Sequence, residues 1–361
     1  MGKRISKKRS TLKTFVFYFL IILGIFLTYL IGVILLGTFT DYKPKSVENL
    51  DVKNVSNITL DSSSLVIFDW NIGYAGLGKE MDFFMDGGKT SVPPKKYVEK
   101  YLAGIANTIL RNKADIYLLQ EIDRNSKRSY YIDELEYLID NIFDDQYNVV
   151  FAYNYKVSFV PVPLFKPMGK VSSGLSTISK YVILEAKRIS LPGEYSWPTK
   201  LFQLDRCLLL TRFATYNGKN LVVLNIHPSA YDSGGKLRKQ QLDYILKVAS
   251  DEYEKGNYVI IGGDWNSELV EDSNFEYTET KPEFYVELPE SLKLQGWKWA
   301  FDKTVPTNRS VSAPYEENKT FVTVIDGFYV SPNIDVEWVK NLDLQFENSD
   351  HNPVVMKVIL K

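Results

Sequence analysis

The run FVFYFLIILGIFLTYLIGVILLGTF, Phe15 to Phe39, holds 25 residues and not one charged side chain. As a helix rising about 1.5 Å per residue, it is long enough to cross a hydrocarbon layer roughly 30 Å thick with some tilt. A core helix of that length would show a polar face. A cleaved signal peptide would have an apolar region of about 7–15 residues and a small-residue cleavage site. Neither pattern is present, so residues 15–39 read as an uncleaved transmembrane helix. The tail before it, residues 1–14, carries six basic groups (Lys3, Arg4, Lys7, Lys8, Arg9, Lys13) and no acid. That excess places the N-terminus in the cytoplasm and the remainder outside, as a single-pass protein of the cell membrane. Gly24, Thr28 and Gly32 form a small-xxx-small row that suits a weak homodimer through the helix.

Because the overall formal charge is only −1, the basic tail implies an acidic body. An acidic body suits a protein that binds a divalent cation and exerts no bulk pull on nucleic acid. The single cysteine, Cys207, excludes an intramolecular disulfide and a cysteine-rich zinc site. In the apolar stretch CLLLTRF it reads as a small buried hydrophobe. Residues 40–64 are polar and lack a long apolar period, and they read as a linker that would reach roughly 80 Å if extended. Residues 65–361 then alternate apolar strands with amphipathic helices and show no second linker, so they read as one layered domain.

Within that domain one arrangement recurs: an apolar strand stops, and polar groups suited to metals or phosphates follow. FDWNIGY ends on Asn71, IYLLQEID on Glu121, VVLNIHPSAY on Asn225 and His227, and VIIGGDWNS on Asp264 and Asn266. TVIDGFYV carries Asp326, and NSDHNPV, before the last strand, carries Asp350 and His351. Any one of these is an ordinary turn. Together they take in both histidines of the chain, and strand ends of a layered sheet gather at one edge, where clefts form.

These motifs, in this order and spacing, resemble the endonuclease/exonuclease/phosphatase superfamily, the pancreatic deoxyribonuclease-like fold. GDWN and SDH are the most specific of them. The resemblance implies a four-layered α/β (α+β) sandwich, two mixed β-sheets flanked by helices, with its site at one edge. It implies a metal-dependent phosphoric ester hydrolase using Mg²⁺ or Mn²⁺. By the same resemblance Glu121 is the principal metal carboxylate, supported by Asn71 and Asp350, and Asp264 orients or deprotonates the attacking water. Asn266 donates to a phosphate oxygen, His351 stands beside the scissile phosphate with Asp326 fixing its tautomer, and His227 protonates the leaving oxygen. Arg206 suits a phosphate fork or a structural salt bridge. In one respect the chain departs from the pattern. Some repair nucleases of this family have an acidic residue two positions after the first Asn, and here that position is Gly73.

The substrate is a phosphodiester, and three readings stand. A nuclease acting outside the membrane is favoured by the resemblance, with KPMGK, SKY and LRKQQ as a basic rim. A phospholipid phosphodiesterase of the sphingomyelinase type is suggested by the anchor, and a catalytically inert binding module on the same fold is the third. The insertion at 75–96 either shapes the pocket or covers the sheet edge. Trp297 and Trp299 belong either to an interface or to the core.

Overall fold

The computed structural model describes residues 2–53, 56–143, 146–270, 275–289 and 292–361, and the side chains of these except residues 2–11 and 233. Helix α1 (Gly2–Thr40) runs unbroken through the tail and the apolar run. Its stretch Leu12–Thr40 is long and apolar enough to cross a membrane, with a mean hydropathy of 2.9. The basic side chains from Lys3 to Arg9 lie outside the described residues.

Two mixed sheets follow, with strands numbered in chain order. The first runs β14 (Ile334–Asn341), β15 (Val354–Leu360), β2 (Ser64–Asn71), β3 (Ile116–Asp123), β5 (Gly169–Ser179), β4 (Asn148–Val160). The second runs β1 (Val47–Asn49), β6 (Glu185–Ser190), β7 (Cys207–Ala214), β8 (Asn220–Ile226), β9 (Tyr258–Asp264), β13 (Asp326–Val330), β10 (Lys298–Ala300). A short pair, β11 (Asn308–Arg309) and β12 (Val322–Thr323), stands apart.

The strands are apolar on both faces because both faces are covered. Along β9, Tyr258 and Ile260 meet Leu118 and Ile67 between the sheets, whereas Val259 and Ile261 meet Leu242 and Ile245 of helix α4 (Lys236–Glu254). Along β2, Leu65 and Ile67 point between the sheets, and Phe68 and Trp70 meet Leu102 and Ile105 of helix α2 (Lys95–Arg111). The result is the expected four-layered sandwich. Cys207 is fully buried between the sheets, and burial pushes its thiol up to about 11. Trp297 and Trp299 pack on Tyr329 in the layer under α4, which is their core reading.

The pairing brings the polar strand ends together. β2 and β3 are parallel and joined through α2, and β8 and β9 are parallel and joined through α4, so each pair ends at a common edge. β13 runs antiparallel to β9 with Asp326 opposite Asp264, so one strand begins where the other ends. β15 runs antiparallel to β2 with Val354 opposite Asp69, which sets Asp350 and His351 beside the end of β2.

Residues 180–184 carry the chain from β5 in one sheet to β6 in the other. Helix α3 (Glu134–Leu138) is short, capped by the Asp133 side chain, which accepts from the Glu136 N–H, and is followed by one wider turn. The linker expected at 40–64 is instead a strap along the domain. β1 pairs with β6, Lys53 bridges to Val149, Ile58 to Tyr181 and Leu60 to Thr215, and Leu60 is fully buried in the inter-sheet core. Its apolar anchors are too far apart to show a period, yet each is held by backbone pairing. Leu60→Ala should lower stability to urea by about 2–5 kcal/mol, as for other buried leucines. A free linker would leave the unfolding midpoint unchanged.

Candidate active site

The edge where these strand ends meet is a cleft lined by Glu121, Arg206, His227, Asp264, Asp350 and His351, among others. Asn71 spans the seam between the sheets. Its amide donates to Asp264 Oδ2 (3.0 Å) and Glu121 Oε1 (3.3 Å), and its Oδ1 accepts from the Gly73 N–H (3.0 Å). Gly73 has φ +53, and a Cβ there would come within 2.7 Å of Asp350 Oδ1. The space that an acidic side chain at 73 would need is thus already taken by Asp350.

Glu121 reaches the cleft through a backbone irregularity. The β3–β5 register shifts between Leu119 and Ile122, and Glu121 adopts φ +55, so its side chain turns out of the strand alternation. Burial raises its pKa, Arg128 opposes that rise, and the like charge of Asp350 adds to it. The Asp350 carboxyl is also raised, first by burial, against the cations His351 and Arg309. The hydrogen-bond donors to these two carboxylates, Asn71 and Ser349, are neutral. Hard oxygens with lone pairs to spare and mutual repulsion fit a small divalent cation such as Mg²⁺ or Mn²⁺. A second group, Asp264, Asp326 and His351, brings one ligand atom each within 4.8 Å of the others and can also hold a metal ion. There, however, the imidazole is already engaged by a carboxylate.

That engagement is close: His351 Nδ1 lies 2.9 and 3.1 Å from the two oxygens of Asp326. Burial discourages a charge on His351, but Asp326 and Asp264 outweigh it and hold the pKa well above the ordinary value. Nε2 faces Asp264 Oδ2 at 3.7 Å and the Asn308 amide nitrogen at 2.9 Å. The contact with that amide belongs to the neutral ring, so protonation requires the amide to present its oxygen instead.

His227 approaches the same carboxylate from the other side, with Nε2 3.5 Å from Asp264 Oδ2 and 3.9 Å from Glu121 Oε1. Burial, then the charges of Arg206 and His351, press its pKa well below the usual value. Arg206 donates from Nη1 to the His227 carbonyl (3.1 Å), and no carboxylate among the described residues lies within 4.0 Å of it. Of its two expected roles, the salt bridge is therefore not made. Asn266, at φ +48, donates its N–H to Asp264 Oδ1 (2.8 Å) and its side-chain amide to the Pro228 carbonyl (2.9 Å). All nine candidate residues thus collect at or beside one cleft. Asn225 does not join them: its amide donates across the sheets to the Ser176 and Leu119 carbonyls and accepts from Gln120.

Several residues that complete the site carry no signal in the sequence. Asn308, in the two-residue strand β11, and Tyr285, in irregular chain, are hydrogen-bonded to each other (2.5 Å). Arg309 donates to the carbonyls of Leu77, Gly78 and Met81 and so fastens the insertion at 75–96. That insertion shapes the pocket. Leu77, Phe83, Met85 and Asp86 line it, and Asp86 accepts a hydrogen bond from Tyr231 across its mouth. Arg128 pairs with Asp123 through two hydrogen bonds and stacks 3.6 Å from the Tyr74 ring centre.

Two sheets flanked by helices, with carboxylates and imidazoles at one edge, make a four-layered sandwich with a polar cleft at its rim. The chain belongs to the Endonuclease/Exonuclease/phosphatase family, whose model matches residues 70–351. Members of that family are generally metal-dependent phosphoester hydrolases. Among solved structures it is similar to an endonuclease/exonuclease/phosphatase from Beutenbergia cavernae, with 20% identity, TM-score 0.57, 82% of this chain and 72% of that one. A family protein from Leptotrichia buccalis matches at 14% identity and TM-score 0.54 over 81% of this chain and 99% of that one. The human Nocturnin catalytic domain with bound sulfate matches at 18% identity and TM-score 0.51 over 86% and 98%. These likenesses show the fold. No curated protein matches the sequence.

With two histidines in the chain, imidazole NMR resolves the site directly. Asp326→Asn removes the charge that most favours the His351 cation, so its pKa should fall by about 1–3 units. An unmoved titration would separate Asp326 from His351.

Proposed function

We propose that the cleft hydrolyses phosphodiesters with the help of a divalent metal ion, by attack of water on phosphorus. The supporting observation is the placement of Asp264 between two imidazoles, at 3.5 and 3.7 Å, with Glu121 and Asp350 facing the same cleft. Glu121, Asp350 and Asn71 would hold Mg²⁺ or Mn²⁺, which when bound offsets charge on the phosphoryl oxygens. Asp264, fixed by Asn71 and by the Asn266 N–H, orients the water and takes its proton. His351, held by Asp326, stands beside the phosphoryl charge as an imidazole is held in a catalytic triad. His227 supplies the proton to the leaving oxygen. A neutral imidazole has first to take up that proton, and the negative charge of a bound phosphodiester favours the uptake by opposing the cations that depress its pKa in the free site. Arg206 and Asn266 complete the phosphate contacts from the same wall.

In this reading α1 is the membrane anchor, with the N-terminus in the cytoplasm and the domain outside. Pairing through Gly24, Thr28 and Gly32 belongs to the same proposal, since a Cβ on either glycine would meet nothing within 4 Å. The nuclease reading has less support from the surroundings of the cleft. Lys180 is paired with Asp115, and Arg238 is buried against the carbonyls of Asn266 and Phe284, so neither belongs to a basic rim. The inert-module reading would leave the convergence of carboxylates and imidazoles without a use.

The full chain in detergent should hydrolyse bis(p-nitrophenyl) phosphate with Mg²⁺ or Mn²⁺ and lose that activity in EDTA. His351→Ala should lower the rate by about 10²–10⁴-fold. Turnover that survives EDTA, or that His351→Ala leaves intact, would refute the proposal.

A further inference from the structure

The last turns of α1 lean on the domain beside the mouth of the cleft. A Cβ added at Gly37 would stand 3.1 Å from the Phe202 ring and 3.4 Å from Leu201 Cβ. One turn earlier Val33 is only 8% exposed, whereas Leu35, Leu36 and Phe39 on the other sides of the helix are open. The domain therefore covers one stripe of the apolar helix. At about 1.5 Å per residue Val33 lies roughly 9 Å before Phe39, the end of the uncharged run. Whatever shields Val33 is therefore at or below the level where the helix leaves the hydrocarbon.

Phe202 connects this contact to the cleft. It packs with Val160 and Met168, which flank the β4–β5 turn, and all three line the cleft together with Val162 and Leu204. The tip of that turn carries Leu164, 49% exposed, and Phe165, 93% exposed. Trp197, 61% exposed, stands just before the short helical turn Thr199–Phe202 that touches α1. Single exposed apolar residues are common on soluble proteins, but these gather around the end of one membrane-length helix. Trp at that level, with exposed Lys166 in the turn and Lys43 after α1, is the pattern of side chains at a lipid headgroup boundary.

We propose that the β4–β5 tip and Trp197 enter the leaflet from which α1 emerges, and that the cleft opens onto that leaflet. Its substrate is then the headgroup phosphodiester of a phospholipid in the same membrane. The substrate assignment rests on the phosphodiesterase reading, whereas the docking surface stands without it. The apolar wall of Val160, Val162 and Phe202 receives the lipid's first carbons while the phosphate reaches the polar end of the cleft. Water adds to phosphorus, one ester P–O bond breaks, and the departing alcohol oxygen takes the proton.

Depth and turnover are measured separately on the full chain in vesicles of phosphatidylcholine, phosphatidylglycerol and sphingomyelin. Cys207 is fully buried, so a spin label on Phe165→Cys has no competitor. That label should be relaxed by oxygen and protected from an aqueous nickel chelate. A label on Leu110→Cys, at the end of α2 away from the cleft, should behave oppositely. Equal exposure of both labels to the chelate would overturn the docking surface. The pair Leu164→Asp and Phe165→Asp should leave hydrolysis of bis(p-nitrophenyl) phosphate unchanged and lower lipid hydrolysis about tenfold or more. Unchanged lipid hydrolysis in that variant, or a wild-type chain active on the soluble diester and on none of the lipids, would overturn the substrate assignment. A wild-type chain inactive on every diester would overturn the phosphodiesterase reading and the lipid substrate with it, while the label depth still decides the surface.

Discussion

One amide, that of Asn71, joins the two sheets where the chemistry is placed. It donates to Asp264 in one sheet and to Glu121 in its own, so two carboxylates share a neutral donor. Without it the edge of the sandwich would bring together like charges from different layers and gain nothing in return. Ser349 donates to the Asn71 carbonyl and thereby fixes the segment that carries Asp350 and His351. Asn71 thus touches both carboxylates through its side chain and the segment bearing His351 through its backbone.

Away from the cleft the same seam is held by a different arrangement. Gln120 donates to Asp69 and to Asn225, and Asn225 donates in turn to the Ser176 and Leu119 carbonyls, so polar contacts bridge the sheets in the interior. Asp69 is fully buried, and burial and the nearby Asp326 raise its carboxyl well above the ordinary range. Not every atom of this interior group is matched: Asp69 Oδ2 and Gln120 Oε1 have no hydrogen-bond partner among the described residues. At the edge the carboxylates have lone pairs unfilled, which a cation can satisfy.

Much of this was legible in the sequence, and for a physical reason. Strands buried on both faces are continuous apolar runs, so the residue where such a run stops is conspicuous. Asn71, Glu121, His227 and Asp264 stand at such stops, whereas Asp326 begins a strand and His351 precedes one. Asn308, Arg309 and Tyr285 were not legible: the first two lie in a two-residue strand and the third in irregular chain, so neither stretch has a period to read. The strap at 40–64 was misread for a related reason: Leu60 is an isolated anchor in polar chain, and backbone pairing leaves no mark on composition. Asn225 shows the converse, a strand-end polar residue that faces the partner sheet instead of the cleft.

The cleft is built at one sheet edge, and the apolar helix α1 ends against the domain beside it. Two places in that cleft can take a cation, and the account assigns it to Glu121 and Asp350 because Asp326 is already committed to His351. Electron paramagnetic resonance of Mn²⁺ titrated into the full chain in detergent decides between them. Glu121→Gln should weaken Mn²⁺ binding by at least about tenfold, and Asp326→Asn should leave it close to wild type. Binding that survives Glu121→Gln but is lost in Asp326→Asn would contradict the account.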